Sequence, residues 1–243
     1  MATLSYDPNC AGYIHSVETG GMVDGPGIRY VLFFSGCALR CKYCHNPDTW
    51  LVKNGKLTSV SEVIRDIKKY QSYLRFSGGG VTITGGDPLV QPVFLLELLK
   101  ACRAAGLHTA LDTAGFAPAD TVQALLAHVD LLILDIKTAN PTVYKDLTGV
   151  SLAPTLQTLR LAQEAGVPVW VRFVLVPGIT DDADDMRALA TLLQSFSVVQ
   201  KVEVLPFHKL GEFKWADLGL SYQLSDVQPP DDETLRLAKQ ILE

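Results

Sequence analysis

Six apolar runs rich in β-branched residues recur along the chain, at 28–34, 81–84, 109–112, 131–136, 169–176 and 202–207. Continuous runs of this length fit strands covered on both faces better than strands with one wet face. Helical patterns lie between them. In 59–70 the apolar positions Val60, Val63, Ile64 and Ile67 share one helical face. Segment 92–105 carries Phe94, Leu95, Leu98 and Leu99 and stops before Gly106; 118–127 and 152–165 behave alike, the latter ending at Gly166. The acidic runs Asp181, Asp182, Asp184, Asp185 (after Thr180) and Asp231, Asp232, Glu233 (after Pro229-Pro230) read as caps and first-turn carboxylates of two more helices. This alternation predicts an α/β fold of parallel strands with outer helices, either a partial (β/α)6 barrel or an open doubly wound sheet. Both place functional groups at the carboxyl ends of the strands.

Composition narrows the setting. A chain of 243 residues can bury one sizeable core, so a single domain over 1–243 is expected, with 1–12 as an N-terminal extension. A formal charge of −5 speaks against a nucleic-acid partner. No leader pattern opens the chain and no apolar run approaches ~20 residues, which predicts a cytoplasmic protein without a membrane partner. The five cysteines form a tight trio plus Cys10 and Cys102, which is no disulfide framework. In a reducing compartment such a trio points to metal or redox chemistry.

The trio is Cys37-Ala38-Leu39-Arg40-Cys41-Lys42-Tyr43-Cys44, spaced C-x3-C-x2-C after the first strand. Three thiolates on a four-iron cluster leave one iron open, as a catalytic zinc keeps an open position. Zinc with His45 as fourth ligand, a Cys41/Cys44 dithiol pair and three structural cysteines are the alternatives. Gly85-Gly86-Asp87-Pro88 after the second strand is a turn, or bare backbone that a ligand ammonium can approach. Asp112 and Thr113 end the third strand; Asp135 and Lys137 end the fourth on a shared face. These are surface charges or the polar floor of a site. Arg172, among apolar residues of the fifth strand, must be paired or reach an edge. His208 ends the sixth strand as a core histidine or a ligand contact.

The trio, with Tyr43 before its last cysteine, resembles the signature of the radical S-adenosylmethionine superfamily. That resemblance implies a partial barrel with a [4Fe–4S] cluster on Cys37, Cys41 and Cys44. S-adenosylmethionine would bind the open iron and be cleaved by one electron to a 5′-deoxyadenosyl radical. It also implies that Gly85 and Gly86 hold the cofactor ammonium, with Asp87 where the family has Glu. Asp112, Thr113, Asp135 and the carbonyl of Ile133 would hold Na+ or K+. Lys137 would touch the ribose or carboxylate region and His208 would lie near the adenine. Tyr43, His45 and Val174 complete the implied cofactor contacts.

Further runs sharpen the resemblance: Val23-Asp24-Gly25-Pro26-Gly27-Ile28-Arg29, Cys44-His45-Asn46-Pro47-Asp48-Thr49-Trp50, Ser77-Gly78-Gly79-Gly80, Trp170-Val171-Arg172 and His208-Lys209-Leu210-Gly211. From about His15 onward the chain resembles the pyruvate formate-lyase activating enzymes. These oxidoreductases take one hydrogen from a backbone glycine of a partner enzyme under anaerobic conditions. The resemblance implies pyruvate formate-lyase as protein substrate, reduced flavodoxin or ferredoxin as electron donor, a monomer, and peptide contacts at Asp24 and Arg172. Another glycyl radical enzyme or a small molecule is the alternative substrate. No cysteine lies between Cys44 and Cys102, so the extra cluster modules of some related activators are absent. Residues 1–10, Asp87, and Ala114 in place of Asn depart from the family pattern.

Overall fold

The structure is a computed structural model and describes residues 6–243. The chain runs β1 (Ala11–Gly21), β2 (Arg29–Phe34), β3 (Lys56–Ser59), α1 (Val60–Ile67), α2 (Gln71–Phe76), β4 (Gly80–Gly85), α3 (Pro92–Ala104) and β5 (His108–Thr113). It continues with α4 (Ala119–Leu126), β6 (Leu131–Asp135), α5 (Pro141–Thr148), α6 (Ala153–Ala165), β7 (Val169–Leu175), α7 (Ala183–Gln194), β8 (Val199–Pro206), α8 (Glu212–Asp217) and α9 (Asp232–Leu242). The six expected strands are β2, β4, β5, β6, β7 and β8.

Helix starts follow local chemistry. Ser59 and Glu62 form a reciprocal capping box on α1. Asp182 accepts from the amides of Asp184 and Asp185, and Asp231 from that of Thr234. Thr180 does not cap: its hydroxyl donates to the carbonyl of Val174 and accepts from the amide of Val176, bracing the turn after β7.

One eight-stranded sheet has the order β3-β1-β2-β4-β5-β6-β7-β8. The pairs from β2 to β8 are parallel and follow chain order without reversal. A doubly wound sheet needs a reversal of strand order, whereas right-handed crossovers in unbroken succession keep all helices on one face and curl the sheet. The sheet is therefore a partial barrel, left open between β8 and the antiparallel edge made by β1 and β3. Side chains alternate accordingly. Val169, Val171, Phe173 and Leu175 are buried in the main core, while Trp170, Arg172 and Val174 take the other face of β7. Ala110, Leu131, Ile133 and Trp170 form a small apolar cluster inside the barrel.

The antiparallel edge begins within the expected N-terminal extension. Residues 1–5 lie outside the described residues, but Tyr6 and Cys10 already pack on the core and β1 starts at Ala11. The turn from β1 to β2 folds against the foot of the barrel. Gly27, at φ +65°, lies so close to the Ser77–Gly79 backbone that a Cβ would clash, so this glycine serves the chain's own packing. Arg29 is fully buried below the apolar cluster: Nε donates to Thr82 Oγ1 at 2.9 Å and Nη2 to the carbonyl of Val81 at 2.6 Å.

Candidate active site

The loop after β2 carries the cysteine trio and is sewn in place by backbone hydrogen bonds. The Cys37 amide donates to Trp50 O at 3.2 Å, Arg40 N to Thr148 O at 2.8 Å and Lys42 N to Leu147 O at 3.0 Å. The indole of Trp215 donates to Cys44 O at 2.8 Å. Along this loop Cys37, Leu39, Cys41, Tyr43 and Cys44 line a cavity of about 340 Å3 at the carboxyl ends of the strands. All three thiols are free. Burial, first among the causes, raises their pKa values, to about 11 for Cys41. Burial raises the core thiol of Cys102 in the same way, so it is the grouping of three thiols on one cavity, and not their acidity, that marks them as ligands. Among the described residues no three His, Cys, Asp or Glu side chains surround a single ion. Ligands that each take a different iron of a cluster stand farther apart than the ligands of one zinc.

The loop after β4 lies against the cysteine loop. Gly85 has φ +121°, and a Cβ on Gly86 would collide with the carbonyl of Gly36. These glycines therefore allow two backbones to touch as well as leaving peptide groups open to the cavity. Asp87 points away from the cavity. Its amide donates to Gly36 O at 2.7 Å. Its carboxylate accepts from Thr113 Oγ1 at 2.8 Å, Leu89 N at 3.0 Å and Ala114 N at 3.1 Å. Burial pushes its pKa up to about 6 against the pull of these donors. Asp87 thus pins the end of β5 to the β4 loop.

Arg172 holds the far wall. Nη1 donates to Asp112 Oδ2 at 2.9 Å, Nε to Glu203 Oε2 at 3.2 Å and Nη2 to the carbonyl of Val23, while Asp24 Oδ1 lies 3.8 Å from Nη2. Thr84 Oγ1 adds a 3.0 Å bond to Asp112. Lys137 pairs with Asp135 at 2.9 Å and lies 5.3 Å from the centre of the Tyr43 ring. Burial alone would lower the Lys137 pKa, but Asp135 and the other acidic groups around it hold it well above the ordinary lysine value. His45 Nε2 donates to His208 O at 2.8 Å and the two rings stack at 4.2 Å. That bond fixes the Nε2–H tautomer of His45.

Every side chain expected at the site lines this cavity except that of Ile133, which sits one layer down in the barrel's apolar cluster. The residues expected to hold a monovalent cation meet at one rim. Asp112 Oδ2 faces Arg172, Asp135 Oδ2 faces Lys137 and the Thr113 hydroxyl donates to Asp87. Sequence reasoning missed Glu203, Thr84 and Lys214. Lys214 on α8 reaches Asn46 Oδ1 at 2.9 Å and Asp48 Oδ2 at 3.1 Å, tying the chain's last third to the cysteine loop. For Glu203 a signal was present: a second charge in an apolar strand, directly in register with Arg172.

Two buried polar atoms at the cavity, Tyr43 OH and His208 Nδ1, have no protein partner. Buried polar atoms are normally hydrogen-bonded, so this pair, the three thiols and the open backbone of the β4 loop fit a polar cofactor seated beside a metal cluster. The family comparison agrees: the Radical SAM superfamily profile matches residues 31–190. The pyruvate formate-lyase-activating enzyme of Staphylococcus epidermidis is 45% identical over 234 residues, 93% of each chain. That of Listeria monocytogenes is 42% identical over 238 residues, 96% of each. A crystal structure of a domain of the Bacteroides vulgatus pyruvate-formate lyase-activating enzyme superposes with a TM-score of 0.57 at 31% identity, covering 68% of this chain and 93% of that one. The chain belongs to the radical SAM superfamily and, within it, to the family of the pyruvate formate-lyase-activating enzymes. Membership implies a [4Fe–4S] cluster and S-adenosylmethionine as cofactors.

Proposed function

We propose that this chain activates pyruvate formate-lyase by removing one hydrogen atom from a backbone glycine of that enzyme, with Cys37, Cys41 and Cys44 holding the [4Fe–4S] cluster. When bound, the cluster and S-adenosylmethionine would supply the one-electron chemistry needed to take a hydrogen atom from a C–H bond. The chain's own residues place the reactants. Gly85 and Gly86 offer backbone to the cofactor ammonium, Lys137 offers charge to its carboxylate or ribose region, and Tyr43, His45, Val174 and His208 line the remainder of its seat. Asp24 and Arg172 grip amide and carbonyl groups of the incoming peptide by charge-assisted hydrogen bonds. Na+ or K+ would sit between Asp112, Thr113, Asp135 and the carbonyl of Ile133. The chain works as a monomeric single domain in the cytoplasm, reduced by flavodoxin or ferredoxin. Among the described residues no helix is long and apolar enough to cross a membrane.

One observation carries this reading: the thiol trio and the Asp24–Arg172 pair line one cavity. Cofactor and peptide backbone can therefore meet there. Electron paramagnetic resonance of the anaerobically loaded, reduced chain mixed with S-adenosylmethionine and pyruvate formate-lyase should show a glycyl radical on the lyase. Formation of 5′-deoxyadenosine with a silent lyase would overturn the proposal in favour of another substrate.

A further inference from the structure

The proposed reaction consumes one electron, and the cavity side of the cysteine loop is taken by cofactor and peptide. The opposite side of that loop is a different surface. Cys37, Leu39, Cys41 and Tyr43 line the cavity, whereas the intervening Ala38, Arg40 and Lys42 do not. Ala38 and Arg40 are exposed.

Arg40 stands at the centre of this outer face. Its guanidinium donates to the carbonyls of Cys37 at 2.8 Å and Leu39 at 2.7 Å and sits 4.8 Å from the centre of the Trp50 ring. Directly after Trp50 in the chain come Leu51, 61% exposed, and exposed Lys53. The Arg40 amide binds the carbonyl of Thr148 at the end of α5, whose last turn carries exposed Lys145, and Lys42 binds the same helix end. Lys42 is paired with Asp146 at 2.7 Å. Residues 37–56 carry four cations (Arg40, Lys42, Lys53, Lys56) against the single carboxylate of Asp48, in a chain whose net charge is −5. Asp48 is itself engaged by Lys214 and by His15. A local cationic face around an apolar residue, on an otherwise acidic protein, steers and orients an anionic partner.

We propose that this outer face of the cysteine loop docks a small acidic one-electron carrier protein, with Leu51 as apolar contact and Arg40, Lys53 and Lys145 as charge contacts. The carrier is oxidised by one electron and the cluster behind the loop is reduced by one. This assignment rests on the proposed function for the need of an electron, but its test reads the cluster alone.

The test compares two reductants on the cluster-loaded protein, followed by stopped-flow absorbance: reduced flavodoxin as the acidic carrier probe, and dithionite. Lys53→Glu/Lys145→Glu, which leaves the hydrogen bonds of Arg40 in place, should slow reduction by flavodoxin about tenfold at low ionic strength. The difference from wild type should shrink as salt is raised. Iron content and the dithionite rate should stay at wild-type values. Arg40→Gln, which can keep one of the carbonyl bonds, should act in the same direction. An unchanged flavodoxin rate in the double variant would overturn the docking assignment. So would equal slowing with both reductants, which would place these lysines in the cluster's environment instead. Neither result depends on whether a glycyl radical forms.

Discussion

Arg172 is the residue on which the acidic side of the cavity converges. It faces Asp112, Glu203 and Asp24 with little solvent on any of the four side chains. Removing one member of a buried charge cluster leaves the others uncompensated, at a cost of about 3–5 kcal/mol. Arg172→Leu should lose stability on that scale in urea denaturation, and Arg172→Lys should lose less. A loss under about 1 kcal/mol, the range of exposed ion pairs, would show that these carboxylates do not need the guanidinium. Beneath the site, Arg29 Nη1 lies 3.2 Å from His108 Nδ1. Arginine can only donate, so Nδ1 must be unprotonated. Burial first, then Arg29, lowers the His108 pKa below its ordinary 6.5. The unfolded chain then binds the proton more readily, so the contribution of neutral His108 is complete above pH 6.5 and fades as pH falls below it. Denaturation profiles between pH 7.5 and 5.5 should be steeper for wild type than for His108→Asn. Parallel profiles would remove His108 from the acid response.

At the scale of elements, the junction of β4 with β5 sets the cofactor seat. Asp87 holds Thr113 and the Ala114 amide from behind, out of reach of any ligand in the cavity. Its carboxylate is 3 Å or so from three donors that would be stranded without it, so Asp87→Ala should cost about 1–3 kcal/mol. The same variant should keep its iron while its affinity for S-adenosylmethionine, measured by equilibrium binding, declines. Iron loss, or an unchanged affinity, would contradict a positioning role. The parallel strands were legible because strands covered on both faces announce themselves as apolar runs. β1 was not, because six of its eleven residues are exposed and three of the others are glycine or histidine rather than an apolar run, and pairing with β2 and β3 makes it a strand. β3, with four residues, and α8, with six, are too short to show a period. Asp112, Thr113, Asp135, Lys137 and His208 were legible as polar groups at strand ends, whereas Tyr43, His45, Val174 and Asp24 were found as cofactor or peptide contacts only through the family resemblance. The partner of each charge was not legible, because Asp87 with Thr113, and Arg172 with Asp24, meet only after the sheet curls.

The whole molecule is an open half-barrel with chemistry on its top rim and a plugged foot. Unbroken strand order curves the sheet, which stays open between β8 and the antiparallel edge. The floor is closed by Arg29 and the apolar cluster around Ile133. A site assembled from so many strand ends should be stabilised by what binds it. At S-adenosylmethionine concentrations near 100 times Kd, one-site linkage adds about 2.7 kcal/mol to the folded state. The cluster-loaded protein should therefore unfold at a higher temperature with the cofactor than without, and Cys41→Ala should lose most of that increment. An equal increment in the variant would mean that the cofactor binds independently of the cluster.

The central claim is that Cys37, Cys41 and Cys44 hold a four-iron cluster with one iron available to the cofactor. Low-temperature electron paramagnetic resonance of the reduced, iron- and sulfide-loaded protein, recorded before and after addition of S-adenosylmethionine, tests it most directly. The account predicts a cluster signal that changes when the cofactor is added, is missing in Cys37→Ala, Cys41→Ala and Cys44→Ala, and persists in Cys102→Ala, whose thiol is buried in the core. A spectrum indifferent to the cofactor, or a full signal in any variant of the trio, would contradict it.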